Sequence, residues 1–321
     1  MHPETETVLE RRRMRRSLSR WRAAAIAAVA LAIGAFVLGT EHLGDIAAPR
    51  QIARLSIEGT ITEDRDQLAL MKRLKEAKHV QGVIVFVNSP GGTTTGGEAI
   101  YEGLRDLAKE KPVVAQFGTV AASAGYIVGL GADHIVARGN TITGSIGVLA
   151  QWPEFSNLLD KLGVKVNEVK SGALKAAPGP FAPMTEDSKA VLEETIKDGF
   201  DWFVSLVRER RGIDPAGVKG LIEGRIFSGR EALGHRLVDA IGGEAEARKW
   251  LEETKGVAKD LEVVDWKPQP SGGFGFFSSS SGGRGLLTTG ARQLARLLGE
   301  EGGLGTVGLD GLVSVWQPSE K

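Results

Sequence analysis

The sequence predicts an α/β fold: stacked βαβ units, preceded by one transmembrane helix. "GVIVFVN" (82–88) and "PVVAQF" (112–117) are apolar runs rich in β-branched residues, the pattern of strands buried on both faces. Amphipathic stretches of helical period lie around them, so strand and helix alternate along the chain. A third observation places a helix ahead of the domain: "AAAIAAVALAIGAFVLG", from Ala23 to Gly39, carries no charge. At 321 residues the chain has room for one domain of about 200–230 residues once its ends are set aside.

"RRRMRRSLSRWR" precedes the apolar run, and Glu41, His42 and Asp45 follow it. As a helix the run rises about 25 Å, at the short end for a bilayer span, with Trp21 as an interfacial anchor. The arginines place residues 1–20 in the cytoplasm and the remainder across the membrane. A long n-region with no A-x-A site directly after the run favours an uncleaved anchor over a signal peptide.

The remaining elements follow in order. "ARLSIEGTI" (53–61) is a strand, and "DQLALMKRLKEAK" (66–78) a helix with Leu68, Leu70, Met71 and Leu74 on one side. Strand 82–88 leads into a glycine-rich turn, "SPGGTTTGG", and a helix over 98–110. Strand 112–117 gives way to the small-residue stretch "GTVAASAGYIVGLGA" (118–132), then to a strand at 134–138. A longer helix spans about 186–210, opened by Thr185 with Glu186 and Asp187 in its first turn. From Lys267, "KPQPSGGFGFFSSSSGGRG" has the composition of a linker. "ARQLARLLGEE" (291–301) reads as a short amphipathic helix, and "LVSVWQ" (312–317) as a final strand.

Composition removes several function classes. Net charge is zero, so there is no basic field for nucleic acid. Absent cysteine excludes disulfides, thiolate catalysis and Cys-type zinc sites. Five histidines without H-x-x-x-H or H-E-x-x-H spacing give a metallohydrolase little support. No metal or cofactor is expected.

Within 118–132, Ser123 sits between Ala122 and Ala124 where a strand turns into a helix, so a substrate can approach the backbone closely. A serine nucleophile needs a base. Three segments are able to converge on it. "NSPGGTTTGG" exposes backbone N–H groups suited to an oxyanion, although Pro-Gly-Gly alone is ordinary turn chemistry. "TITGSIGV" (141–148) is a hydroxyl-bearing turn. "VKSGALKAAPGPFAPMT" (169–185) holds Lys175 among Ala, Leu, Pro and Gly. A solvated lysine, with a pKa of about 10.4, is neutral in fewer than about one molecule in a thousand at pH 7. Desolvation disfavours the ammonium and lets a neutral amine take a proton from serine. Lys170 is the competing candidate.

Together, "VNSPGGTTTGGEAI", "AASAGYIV", "TGSIGV", "VKSGALKAAPGPFAPMT" and "GRIFSGREALGHRLVD" stand in an order that resembles the signal peptide peptidase A family. The likeness is to the short, single-domain bacterial form of these membrane-anchored serine–lysine peptidases, and it covers roughly residues 52–250. It implies a fold of the Clp/crotonase type. It further implies Ser123 as nucleophile, Lys175 as base, Ser145 as the residue orienting that base, and the backbone amides of Gly92 and Ala124 as oxyanion hole. Many members carry Gly where Ala124 stands; the amide survives the change. The Clp type uses Ser-His-Asp, with its histidine near the segment reading "TITGSIGV" here, where none is present.

The resemblance divides the chain into a cytoplasmic basic segment (1–22), a signal anchor (23–40), a peptidase domain (48–266) and a linker with tail (267–321). The implied activity is a serine endopeptidase, working through an acyl-enzyme on cleaved signal peptides and other membrane-released peptides. It is expected on the extracytoplasmic side of the inner (cytoplasmic) membrane, with the dyad complete in one chain and the chains in a homo-oligomeric ring, an octamer for members of this size. Small residues around Ser123 suggest a shallow apolar pocket for Ala- or Leu-like side chains. Two other readings remain: a crotonase-like acyl-CoA enzyme, which explains neither the anchor nor Ser123 and Lys175, and a non-catalytic scaffold of the same fold.

Overall fold

Apolar segments without a polar break pair with one another in parallel, because each satisfies its neighbour's backbone while helices cover both faces. In the computed structural model these are β1 (Gln51–Ile61), β2 (Val80–Thr93), β3 (Val113–Ala122) and β4 (His134–Ala137). The structure describes Trp21, residues 48–269 and a strand at 313–315. Ala23–Gly39 and 291–301 lie outside the described residues; among those described, no helix is long and apolar enough to cross a membrane. The chain divides into two compact units, Met1–Arg50 with Ala77–His79, and Gln51–Glu76 with Val80–Lys321. All the elements below belong to the second.

Helices α1 (Arg65–Glu76), α2 (Thr94–Leu107) and α3 (Ala124–Leu130) make the first three crossovers. The remaining helices are α4 (Ser156–Lys161), α5 (Glu186–Arg211), α6 (Gly229–Gly234) and α7 (Glu244–Lys255). With β5 (Ile142–Gly144), β6 (Ile226–Ser228) and β8 (Glu262–Trp266), the sheet runs β6-β5-β3-β2-β1-β8. β4 pairs with β3 and with β7 (Ala240–Ile241), and β9 (Val313–Val315) pairs with β2. The α/β reading and its parallel sheet are borne out, and so is a final strand within 312–317.

Ile52, Ile84, Val114 and Val136, one from each of the four parallel strands, pack with Ala247 and Leu251 of α7. Their alternates Val83, Val85, Val113 and Ala115 are equally buried, so both faces of the sheet are covered. Each large side chain so buried is worth roughly 1.5–3 kcal/mol.

Two boundaries differ from expectation. "SPGG" is not a turn: β2 runs through it to Thr93, and α2 starts at Thr94 rather than 98. Thr93 caps α2, its Oγ1 accepting from the Gly96 amide at 3.1 Å. β3 likewise continues past Phe117 to Ala122. It does so by changing partners, pairing with β4 up to Phe117 and with β5 from Val120.

Candidate active site

The change of partner in β3 aims the serine. Asn88 Oδ1 accepts from the amides of Thr119 (3.1 Å) and Val120 (3.3 Å), and Thr141 Oγ1 donates to Gly118 O at 2.7 Å. These polar braces hold the bulge between the two halves of β3. Thr143 Oγ1 then donates to Ala121 O (2.7 Å), locking β5 against the last turn of strand. Ala122 pairs with Gly144, so Ser123 and Ser145 leave the sheet side by side. Sequence reading missed Asn88, Thr141 and Thr143; an Asn and a Gly interrupting strand patterns were the available signal.

Ser123 is 1% exposed. Its φ of 57° and ψ of −121° are strained for a residue with a Cβ, at a cost on the order of 1–3 kcal/mol. Hydrogen bonds on both sides keep it there: its amide donates to Gly144 O at 2.9 Å, and its carbonyl accepts from Tyr126 N (2.9 Å) and Ile127 N (3.0 Å). A strained serine between strand and helix is the geometry of a nucleophile elbow. Ser145 is also at positive φ, 52°, with its amide donating to Arg225 O at 2.9 Å.

α3 starts at Ala124, and every one of its residues is buried. The Tyr126 hydroxyl donates to Leu237 O (2.8 Å), and Arg210 of α5 donates to the carbonyls of Leu130 and Ala132, both at 2.9 Å. Burial pushes the Tyr126 phenol well above its ordinary range, so it remains a neutral donor. As at any helix start, the first amides, that of Ala124 among them, have no partner within the helix.

Gly92 lies where β1 approaches closest. A Cβ there would stand 1.9 Å from Ile61 O, so no other residue fits. Ser89, fully buried, shapes the preceding turn of chain: its Oγ accepts from Gly91 N at 3.1 Å. Beyond Ser145 a cavity of about 400 Å³ is lined by Ile146, Val148, Ile196, Phe200 and Ile222, with the charged Glu193, Lys197 and Glu223 also on its wall.

Lys175 differs from this cluster in its burial. It is exposed, in a turn where its amide donates to Gly172 O, and among the described residues its amine takes part in no hydrogen bond or ion pair. The surrounding Ala173, Leu174 and Ala176 are exposed too. Lys170, the competitor, is held by Glu168 at 2.5 Å. His134 stacks on Trp250 at 4.8 Å between ring centres, beside Asp239.

A parallel sheet ending in a buried, strained serine beside a glycine strand end defines a hydrolase-type site on a Clp-protease-like fold. Comparison with known proteins agrees. The profile of peptidase family S49 matches residues 105–258, and that of Clp protease matches residues 51–139. A Synechocystis sp. chain bearing a protease name, slr0021, is 35% identical over 69% of this chain and 80% of its own length. An Enterococcus faecium chain named for signal peptide peptidase SppA is 36% identical over 72% of this chain and 71% of its own. Protease 4 of Haemophilus influenzae is 33% identical over 68% of this chain, which is 37% of its own length. The chain belongs to peptidase family S49.

Proposed function

We propose that this protein is a membrane-anchored serine endopeptidase with a Ser123–Lys175 dyad, degrading signal peptides and other membrane-released peptides. The observation that carries the reading is the Ser123 elbow: a buried serine held in a strained conformation by bonds to Gly144, Tyr126 and Ile127. Such strain persists only where the surroundings over-determine it, which is the expected state of a preorganised nucleophile. In the reaction, Ser123 Oγ attacks the peptide carbonyl and gives its proton to the neutral Lys175 amine. The oxyanion is held by the amides of Gly92 and Ala124. Lys175 passes the proton to the departing amine, and water then cleaves the acyl-enzyme through the same base. Ser145, emerging beside Ser123, orients the lysine.

Assembly completes this reading. Among the described residues, eleven of the fourteen exposed large apolar side chains fall between Leu149 and Val191, on the arm that carries Lys175. Exposed apolar side chains in this number favour burial against a neighbouring chain, as a homo-oligomeric ring of up to eight copies would provide. The basic segment before Ala23 supports a single-pass anchor with the catalytic part outside the cytoplasm. The deciding experiment labels the full chain in membranes with an acylating serine-hydrolase probe. Labelling at Ser123, lost in Ser123→Ala, with hydrolysis of signal-peptide sequences, is expected. A probe that finds no reactive serine sinks the peptidase reading, and labelling from the cytoplasmic side sinks the topology.

A further inference from the structure

β6 backs the strand that delivers Ser145. Their antiparallel pairing sets Thr143 opposite Phe227 and Gly144 opposite Ile226. One step further along the same register, the Arg225 carbonyl accepts the Ser145 amide at 2.9 Å. That carbonyl also presses on Gly144, where a Cβ would come within 2.9 Å of it. Gly144 in turn accepts the Ser123 amide on its own carbonyl, at 2.9 Å. Arg225 O therefore meets both residues that close β5, and both are at positive φ, 84° for Gly144 and 52° for Ser145.

The side chain of Arg225 fixes where that carbonyl sits. Its guanidinium lies 4.6 Å from the centroid of the Phe227 ring, and its Nη2 donates to Glu231 Oε1 at 2.8 Å. Phe227 is buried, with His235 edge-on at 5.5 Å, so the ring is a fixed surface. Glu231 is fixed too, because its second oxygen accepts the Ser228 amide at 2.9 Å in the capping box of α6. That amide holds the carboxyl below the usual carboxylate range, so it faces Arg225 as a charge. On the backbone side, the Arg225 amide donates to Gly220 O at 2.9 Å. The Arg225 and Glu231 side chains are 44% and 46% exposed, a setting in which an ion pair adds little to stability. What the contacts do secure is the direction of one carbonyl.

We infer that Arg225 is a positioning residue of the candidate site: its guanidinium, held between Phe227 and Glu231, fixes the carbonyl that sets Ser145, and through Ser145 it directs the base. The inference rests on the peptidase reading for what Ser145 orients, not for how Ser145 is held. A strained backbone needs surroundings that over-determine it, and at Ser145 the Arg225 carbonyl is the bond that does so from outside β5. A small error there is magnified at the far end of a hydroxyl-to-amine contact, where misplacement by about 1 Å costs up to about 10²-fold in rate.

The test uses two variants of the full chain. Arg225→Met keeps an unbranched stem and loses the guanidinium; Glu231→Gln can still cap α6 and loses the charge facing Arg225. In Arg225→Met, kcat for a peptide substrate should fall about tenfold at unchanged KM, with a smaller fall in Glu231→Gln. A purely structural loss would multiply with that of Ser145→Ala. Loss through Ser145 overlaps with it, so Arg225→Met combined with Ser145→Ala should stay within about twofold of Ser145→Ala alone. Multiplied losses, an unchanged kcat in Arg225→Met, or a Ser145→Ala chain as fast as its parent each overturn the route through Ser145. The clamp itself is read without turnover, by hydrogen exchange at the Ser145 amide. Exchange at least about tenfold faster in both variants is expected, and exchange equal to the parent overturns the clamp. If the parent cleaves no peptide, the peptidase reading fails and the exchange result still decides how Ser145 is held.

Discussion

The two halves of the candidate dyad are built in opposite ways. Around Ser123 everything is buried and braced: α3 on one side, β5 on the other, Asn88 and Thr143 fixing the strand that delivers it. Around Lys175 the chain from Leu149 to Val191 is largely exposed and carries most of the exposed large apolar side chains among the described residues. The nucleophile's position is therefore set by the fold of one chain, at a cost in strain. Lys175, proposed as the base, sits on an exposed segment without comparable bracing among the described residues. A peptidase gains from this division. Its serine is held in place at all times, while the exposed arm is left free to take up its position when a partner or peptide covers it.

The largest effects test whether both halves belong to one site. Ser123→Ala and Lys175→Arg should each lower the hydrolysis rate of a fluorogenic peptide by at least about 10³-fold, with melting curves unchanged for Lys175→Arg. Lys170→Ala should stay within about twofold of the parent. Should Lys175→Arg remain active, or Lys170→Ala lose activity, the base has been placed on the wrong lysine.

Stability should divide along the same line. Gly92→Ala forces a Cβ onto the Ile61 carbonyl and should cost about 3 kcal/mol or more in denaturant titration. Gly172→Ala meets open space on the arm and should fall within about 0.5 kcal/mol of the parent. Equal penalties would erase the contrast. Replacing Phe155, Leu158 and Leu162 together by serine should likewise leave the unfolding midpoint of the domain within about 1 kcal/mol. It should nonetheless reduce assembly, read by sedimentation, together with activity. Lost activity without lost assembly would assign the arm to substrate instead.

Two smaller effects sharpen the picture. Ser123→Gly relieves the strained backbone and should stabilise the inactive protein by about 1 kcal/mol. His134 lies on the braced side, and burial holds its imidazole below the ordinary value of 6.5 despite the pull of Asp239. A depressed folded value means the neutral ring is favoured by folding, so stability is full above about pH 6.5 and falls as pH drops below it. His134→Phe, which keeps a ring against Trp250, should flatten that decline by up to about 1 kcal/mol between pH 6.5 and 5, seen in melting temperature against pH.

The same contrast governs what could be read in the sequence. "GVIVFVN" and "PVVAQF" were legible as strands because burial on both faces writes an unbroken apolar run. Thr185 with Glu186 and Asp187 announced the start of α5, where Thr185 and Ser188 form a reciprocal cap. Pro90-Gly91-Gly92 misled because proline and glycine punctuate most strands. Here they extend one, since β1 comes so near at Ile61 that a side chain has no room. Ser123 was legible from its small neighbours, whereas its strained φ comes from β5 and α3 closing on it from distant parts of the chain. The surroundings of Lys175 read as apolar company and proved exposed; composition records which residues are near in sequence, not what covers them.

Helix α5 joins the two halves, and it behaves as a rod. Its far end is riveted: Arg210 grips Leu130 and Ala132 at the end of the nucleophile's own helix, and Arg211 grips Asp239 at 2.6 Å. Its near end begins at Thr185, straight after the lysine-bearing segment, and most residues of that first half are exposed. Twenty-six residues make a lever about 39 Å long, so a tilt of about 5° at the rivet swings the free end through about 3 Å. That travel separates a hydrogen bond from no contact at all. Such a tilt would carry the lysine-bearing segment by that distance while leaving the elbow at Ser123 where it stands.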